Sequence, residues 1–265
     1  MKRGDVVYYR DEVNDDFAGN DIKTCSVTKD FPYVRKGVIW KITEFIAYYL
    51  IAWPIVWLIL FVFSGYSVKN RRAMRKLVKE SKKGFFIYAN HTGWTDAFLA
   101  PVLTWPKKAH VLVSADTVSI KGLRAIVQML GAIPVPTERD AVPPFVSAID
   151  ARINEGKPIM IFPEAHIWPY CTFVRNFKAG SFRYPVKDGV PVIAVCTTYT
   201  RHKGLLKFIK SPKRVVYISE PFSPDSSLPA PEAKQKLRDE VYAWLKKTAD
   251  EHSDYEIVRY LKKED

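Results

Sequence analysis

Phe85-Phe86-Ile87-Tyr88-Ala89-Asn90-His91-Thr92-Gly93-Trp94-Thr95-Asp96 is an apolar run that stops on a polar turn. The run is too short for a buried helix and rich in aromatic side chains, so it reads as a strand covered on both faces. Thr95-Asp96 stands just ahead of Ala97-Phe98-Leu99-Ala100 and reads as a helix N-cap, which makes His91 to Asp96 a strand-to-helix turn. The same alternation recurs downstream. Strands are expected at His110 to Ser114, Ile133 to Pro136, Pro158 to Phe162, Val192 to Thr197 and Val215 to Ile218. Helices are expected at Gly122 to Leu130, Phe145 to Asn154 and Ala233 to Asp250. Such alternation calls for parallel crossovers, so the expected fold class is α/β, a mostly parallel sheet flanked by helices, with functional loops at the strand C-terminal ends.

Across the 91 to 96 turn a carboxylate can fold back onto one imidazole nitrogen and fix the tautomer, leaving the other nitrogen able to take a proton. That is two thirds of a Ser-His-Asp triad. No serine nucleophile is supplied nearby, so a substrate hydroxyl is expected to attack an activated acyl group directly. The competing reading makes Asp96 a helix cap and His91 a loop residue bonded to backbone.

Asn90-His91 with Asp96 resembles the first signature block, Asn-His-x4-Asp, of the glycerophospholipid acyltransferase family related to bacterial 1-acylglycerol-3-phosphate acyltransferases. Gly131-Ala132-Ile133-Pro134-Val135-Pro136 resembles the second block, Ile161-Phe162-Pro163-Glu164 the third and Val190 to Val195 the fourth, with Phe177-Lys178-Ala179-Gly180-Ser181 between the last two. Two departures stand out. Thr137 occupies the place of the family's second-block arginine, and the nearest basic residue is Arg139. The third block continues Ala165-His166-Ile167-Trp168-Pro169-Tyr170 where the family has Gly-Thr-Arg. The resemblance implies His91 as general base, Asp96 as its orienter, and Asn90, Glu164, Arg139 and Lys178 as substrate-binding residues, the last two toward phosphate. It implies no metal or redox cofactor, with acyl-CoA or acyl carrier protein as cosubstrate.

The chain has 265 residues, 48% hydrophobic and 26% charged, a globular balance. Cys25, Cys171 and Cys196 are odd in number and lack metal-ligand spacing, which argues against a disulfide framework and for a reducing compartment. His166 lies near Glu164 without a second ligand pair, so no metal site is expected. Residues 1–37 mix acids with aromatic residues, lack a secretory pattern and carry no fold signature. They are read as an N-terminal extension.

Residues 45–68 hold no charged side chain. Roughly 20 apolar residues suffice to cross a hydrocarbon core, yet Pro54 removes a helical hydrogen bond near the middle and equally suits a helix pair lying in one leaflet. Residues 38–68 are therefore read as a membrane anchor and 69–265 as the catalytic domain. Between Lys69 and Lys83 eight basic residues face one acid, a local charge of +7. Anionic headgroups attract such a helix, and the positive-inside bias puts the catalytic domain on the cytoplasmic side. The overall charge of +13 lacks the aromatic-basic interleaving of a nucleic-acid binder, so membrane lipid is the expected partner, with an acidic donor such as acyl carrier protein also compatible.

These readings converge on a membrane-bound O-acyltransferase that moves a fatty acyl group from a thioester to a lysophospholipid hydroxyl, 1-acylglycerol-3-phosphate by default. A membrane-associated thioesterase or lipid hydrolase, and a non-catalytic lipid-binding relative, remain as alternatives.

Overall fold

A strand with apolar side chains on every position has to lie inside a sheet covered on both faces. Phe86–Ala89 does so, each residue buried, at the centre of a seven-stranded sheet. The computed structural model describes residues 1–19, 22–120, 122–204 and 208–263. In chain order the strands are β1 (Val6–Tyr9), β2 (Tyr66–Lys69), β3 (Phe86–Ala89), β4 (His110–Val113), β5 (Ala132–Pro134), β6 (Ile159–Ile161), β7 (Val192–Thr200), β8 (Lys213–Ile218) and β9 (Arg259–Lys262). The sheet order is β2-β8-β7-β3-β6-β4-β5. All pairings are parallel except β7 with β8, so β8 and β2 run against the other five strands. The expected mostly parallel α/β sheet is the observed fold.

Alternation along β3 and β7 sends Tyr88 and Ala194 to one face and Ile87 and Ile193 to the other. The first face is covered by helices Val142–Asn154, Arg183–Asp188 and Ala230–His252, through residues such as Phe145, Ile149, Leu237 and Val241. The second is covered by helices Arg71–Glu80 and Leu99–Leu103 and by Leu60. The basic helix keeps Ala73, Met74 and Val78 inward and leaves Arg72, Arg75, Lys76 and Lys79 exposed.

Of the two forms expected for the apolar run, a single helix or a helix pair, the observed one is a single helix, Val38–Phe63. Ile46–Ala52 and Leu58–Phe63 are wound as π-helix around Trp53–Trp57, and Pro54 sits at the start of that middle stretch, where its missing N–H interrupts least. The helix stops at Phe63, and Tyr66–Lys69 then joins the sheet as an edge strand beside β8, so the sequence boundary at 68/69 falls inside β2.

Residues 1–37 also acquire a defined place. β1 pairs in parallel with β9, and the segment beyond it crosses the C-terminal edge of the main sheet. Trp168 Nε1–H donates to the Asp15 carbonyl at 2.8 Å, Val27 N–H to Thr137 Oγ1 at 2.9 Å, and Gln128 Nε2–H to the Pro32 carbonyl at 3.1 Å. The aromatic residues that replace the family's polar third block belong to this seam. Trp168 is fully buried, with Tyr9 and Tyr260 each 4.9 Å from its ring.

Candidate active site

β3 ends in the middle of the sheet, and the chain must leave it over the C-terminal ends of its neighbours β6 and β7. Asn90 fixes that exit. Its buried side-chain amide donates to the Thr197 carbonyl at 2.9 Å and its Oδ1 accepts the Thr197 N–H at 2.8 Å, tying the end of β3 to β7 as a backbone ladder would. Its amide is committed to this lock.

Asp96 was expected within a helix cap. It lies instead inside a 3-10 turn, Trp94–Phe98, that leads into helix Leu99–Leu103. From there its fully buried carboxylate folds back. Oδ2 accepts the N–H groups of Thr92 at 2.6 Å and Gly93 at 2.8 Å, and sits 3.2 Å from His91 Nδ1. Capping and triad readings are therefore compatible, because one oxygen does both. With Nδ1–H donating to Asp96, Nε2 carries the imidazole lone pair. The ring is stacked on Phe162 at 4.0 Å between centroids, and 13% of the side chain stays accessible.

Two buried hydroxyls brace the same turn. Tyr66 Oη is 2.7 Å from Thr95 Oγ1, and Tyr199 Oη is 2.9 Å from Thr92 Oγ1. Burial pushes both phenols up, with the Asp96 carboxylate as the next cause, so both stay protonated near neutral pH.

Glu164 is also buried, beneath the turn. Oε2 accepts the His91 backbone N–H at 2.9 Å and the Arg175 guanidinium at 3.1 Å, while Oε1 accepts the Arg175 N–H at 2.9 Å. Its oxygens face the protein and hold the backbone that carries the histidine. Arg175, fully buried, reaches the carbonyls of His166 and Glu12 and lies 4.6 Å from the Trp168 ring. No local pattern pointed to Arg175, because a long loop separates it from Glu164. That loop turns through left-handed backbone at Ala165, φ 65°, the position where the family has glycine. An alanine there costs roughly 1–2 kcal/mol, which the surrounding hydrogen bonds offset.

Arg139 and Lys178 stand apart. Both are exposed, and among the described residues neither is bonded to His91 or Asp96. Arg139 follows β5, three strands from β3, which at about 4.8 Å per strand puts it on the order of 14 Å away. Lys178 lies near Asp11 of the N-terminal segment, whose carboxyl it helps hold below the usual range, after the larger effects of hydrogen bonds from Val13 and Asn14.

An apolar cavity of about 130 Å³ opens beside the turn. Ala97 and Phe98, immediately after Asp96, form one wall; Val111, Val113 and Ala132 form another; Ala52, Trp53 and Val56 of helix Val38–Phe63 close it.

A histidine oriented by a buried carboxylate at the C-terminal edge of an α/β sheet, next to an apolar cavity, defines a class of acyl-transferring enzymes. The model of the Acyltransferase family matches residues 66–198, half of the chain and all of the turn, and the chain belongs to that family as an acyltransferase. Its fold is similar to that of the 1-acyl-sn-glycerophosphate (LPA) acyltransferase PlsC from Thermotoga maritima, with a TM-score of 0.52, 20% identity, and 80% of this chain and 79% of that one covered. No curated protein sequence matches this chain.

Proposed function

We propose that this acyltransferase moves a fatty acyl group from a thioester to the hydroxyl of a lysophospholipid, 1-acylglycerol-3-phosphate by default, at a membrane surface. The observation that carries the reading is the free Nε2 of an Asp96-held His91 beside an apolar cavity. The acceptor hydroxyl gives its proton to Nε2 as its oxygen attacks the thioester carbonyl. The resulting tetrahedral species collapses, its C–S bond breaks, and the imidazolium returns the proton to the leaving thiolate. Asp96 stabilises the cation in between. The test is transfer of labelled acyl groups from acyl-CoA and acyl carrier protein thioesters to a panel of lysolipids. Release of free acid without acceptor dependence supports the hydrolase reading in its place.

The cavity supplies the donor chain with apolar walls. Each methylene excluded from it loses about 0.8 kcal/mol of burial, so a bulkier wall that excludes two shifts chain preference about tenfold. Ala132→Phe is expected to lower kcat/KM for long-chain donors by at least that factor relative to short ones. Equal effects on both would remove the acyl chain from this cavity.

Membrane attachment rests on helix Val38–Phe63. Val38, Ile39 and Phe63 are each more than 70% exposed, an apolar face without a protein partner among the described residues. The opposite side is fastened to the domain along much of its length, by Glu44 to Lys108 at 2.7 Å, the Ala109 N–H to Tyr48 Oη at 3.0 Å, and Trp53 against Trp105 at 4.4 Å. A helix held so continuously lies on the domain, which favours insertion into one leaflet over a crossing, with the exposed bases of helix Arg71–Glu80 facing anionic headgroups from the cytoplasmic side. Replacing Trp57 and Phe63 with serine is expected to weaken sedimentation with anionic vesicles by at least about tenfold. Undiminished sedimentation would remove this face from the membrane contact.

A further inference from the structure

Arg214 is the second residue of β8, paired across the sheet with Tyr66 on one side and Tyr199 on the other. Because β8 and β2 run against the parallel strands, their first residues stand at the same edge of the sheet as His91. β8 is two strands from β3, on the order of 10 Å. The guanidinium sits between two aromatic rings, 5.6 Å from the centroid of Tyr66 and 5.7 Å from that of Tyr170. One nitrogen donates to the Ser64 carbonyl at 3.0 Å, and among the described residues no carboxylate forms an ion pair with it. The same tyrosines reach the catalytic turn: Tyr66 at Thr95, and Tyr170 through its N–H to the Thr92 carbonyl at 2.9 Å.

At the opposite end of this edge the exposed bases stand apart from the turn, Arg139 on the order of 14 Å away between Glu138 and Asp140, and Lys178 near Asp11. Thr137 is engaged by Val27, and the N-terminal segment brings Asp11, Glu12, Asp15 and Asp16 over the third-block loop, with Asp16 3.4 Å from His166. On the β5–β6 side the bases are thus interspersed with carboxylates, whereas on the β8–β2 side Arg214 has no carboxylate partner among the described residues. The acyl cavity lies toward β4 and β5, so the two substrates have separate approaches.

We propose that Arg214, clamped between Tyr66 and Tyr170, binds the phosphate monoester of the acyl acceptor. The assignment rests on the acyl-transfer reading above. Planar guanidinium forks suit phosphate oxygens, and the stacked rings hold the side chain in place before the ligand arrives.

The experiment compares wild-type protein with Arg214→Gln and Arg214→Lys, using lysophosphatidate and the phosphate-free monoacylglycerol as acceptors and either acyl-CoA or the phosphate-free acyl N-acetylcysteamine thioester as donor. Arg214→Gln is expected to raise KM for lysophosphatidate roughly 10- to 100-fold, with much smaller changes for monoacylglycerol and for both donors, and Arg214→Lys to recover part of the loss. Equal losses with both acceptors, or none, overturn the assignment. A rise confined to acyl-CoA overturns it in favour of the donor's phosphates. Titration with inorganic phosphate separates this site from the acyl-transfer reading. Binding that is about tenfold weaker in Arg214→Gln, in protein that transfers no acyl group, supports the site while the function fails; absence of wild-type phosphate binding overturns it. Thermal unfolding of both variants shows whether loss of the Ser64 contact alone has unfolded the end of helix Val38–Phe63, and an effect of Arg214→Gln that appears only with such unfolding also overturns the assignment.

Discussion

His91→Ala is expected to lower kcat for acyl transfer by roughly 10²- to 10⁴-fold, the range a positioned general base supplies, while leaving the fold intact. The fold survives because the hydrogen bonds that shape the turn belong to other atoms. Asp96 Oδ2 still accepts the amides of Thr92 and Gly93, and Glu164 still accepts the backbone N–H of residue 91. What disappears is the Nε2 lone pair and the imidazolium that returns the proton to the thiolate. Asp96→Asn tests the orienter by a different route. An asparagine oxygen in the place of Oδ2 can still accept from both amides and from His91 Nδ1, but the negative charge that stabilises the imidazolium is gone and the amide nitrogen takes the buried, unpartnered Oδ1 position, so a large loss of kcat is expected together with lower stability. Steady-state kinetics beside thermal unfolding distinguishes the two variants. Undiminished transfer in folded His91→Ala would falsify the proposed mechanism for every acceptor.

The sequence showed most where a local pattern carries its own meaning. Phe85 to Ala89 can be little else than a buried strand, and Asn-His-x4-Asp places two reacting groups within one turn, so the centre of the sheet and the His91–Asp96 contact were both legible. Partners distant in the chain were not. β1 is a short exposed-looking segment whose partner β9 lies at the other end of the chain, and no periodicity links them. β2 was hidden because Tyr66–Lys69 continues an apolar run that serves a helix up to Phe63. The reversed direction of β8 escaped for a related reason, since strand composition does not encode strand sense, and with it went the position of Arg214 beside the catalytic turn. Asn90 and Glu164 were picked out by type and block but not by what they touch: a polar residue in a signature reads as substrate-facing, while here both are buried and spend their hydrogen bonds on backbone and, for Glu164, on the Arg175 guanidinium as well.

Glu164→Ala is expected to destabilise the protein by about 3–5 kcal/mol, because it leaves the Arg175 guanidinium buried without a counter-charge. Both side chains are almost wholly inaccessible, 0% for Arg175 and 2% for Glu164, so solvent does little to screen the loss. At roughly 2–4 °C per kcal/mol for a domain of this size, the midpoint of thermal unfolding falls by on the order of 10 °C. Adding Arg175→Met separates charge from positioning. The second substitution removes the stranded cation, so the double variant is expected to regain part of the lost stability, as apolar replacements of buried ion pairs often do. Activity is not expected to return with it. In both variants the His91 N–H has lost the Glu164 oxygen that accepts it at 2.9 Å, and the turn carrying the imidazole is free to shift. Displacement of about 1 Å costs on the order of 100-fold in rate, so stability and kcat part company across the pair. Recovery of both together would show that Glu164 serves only to neutralise Arg175, and recovery of neither would place the damage in the N-terminal seam, where Arg175 reaches the Glu12 carbonyl and Trp168 reaches Asp15.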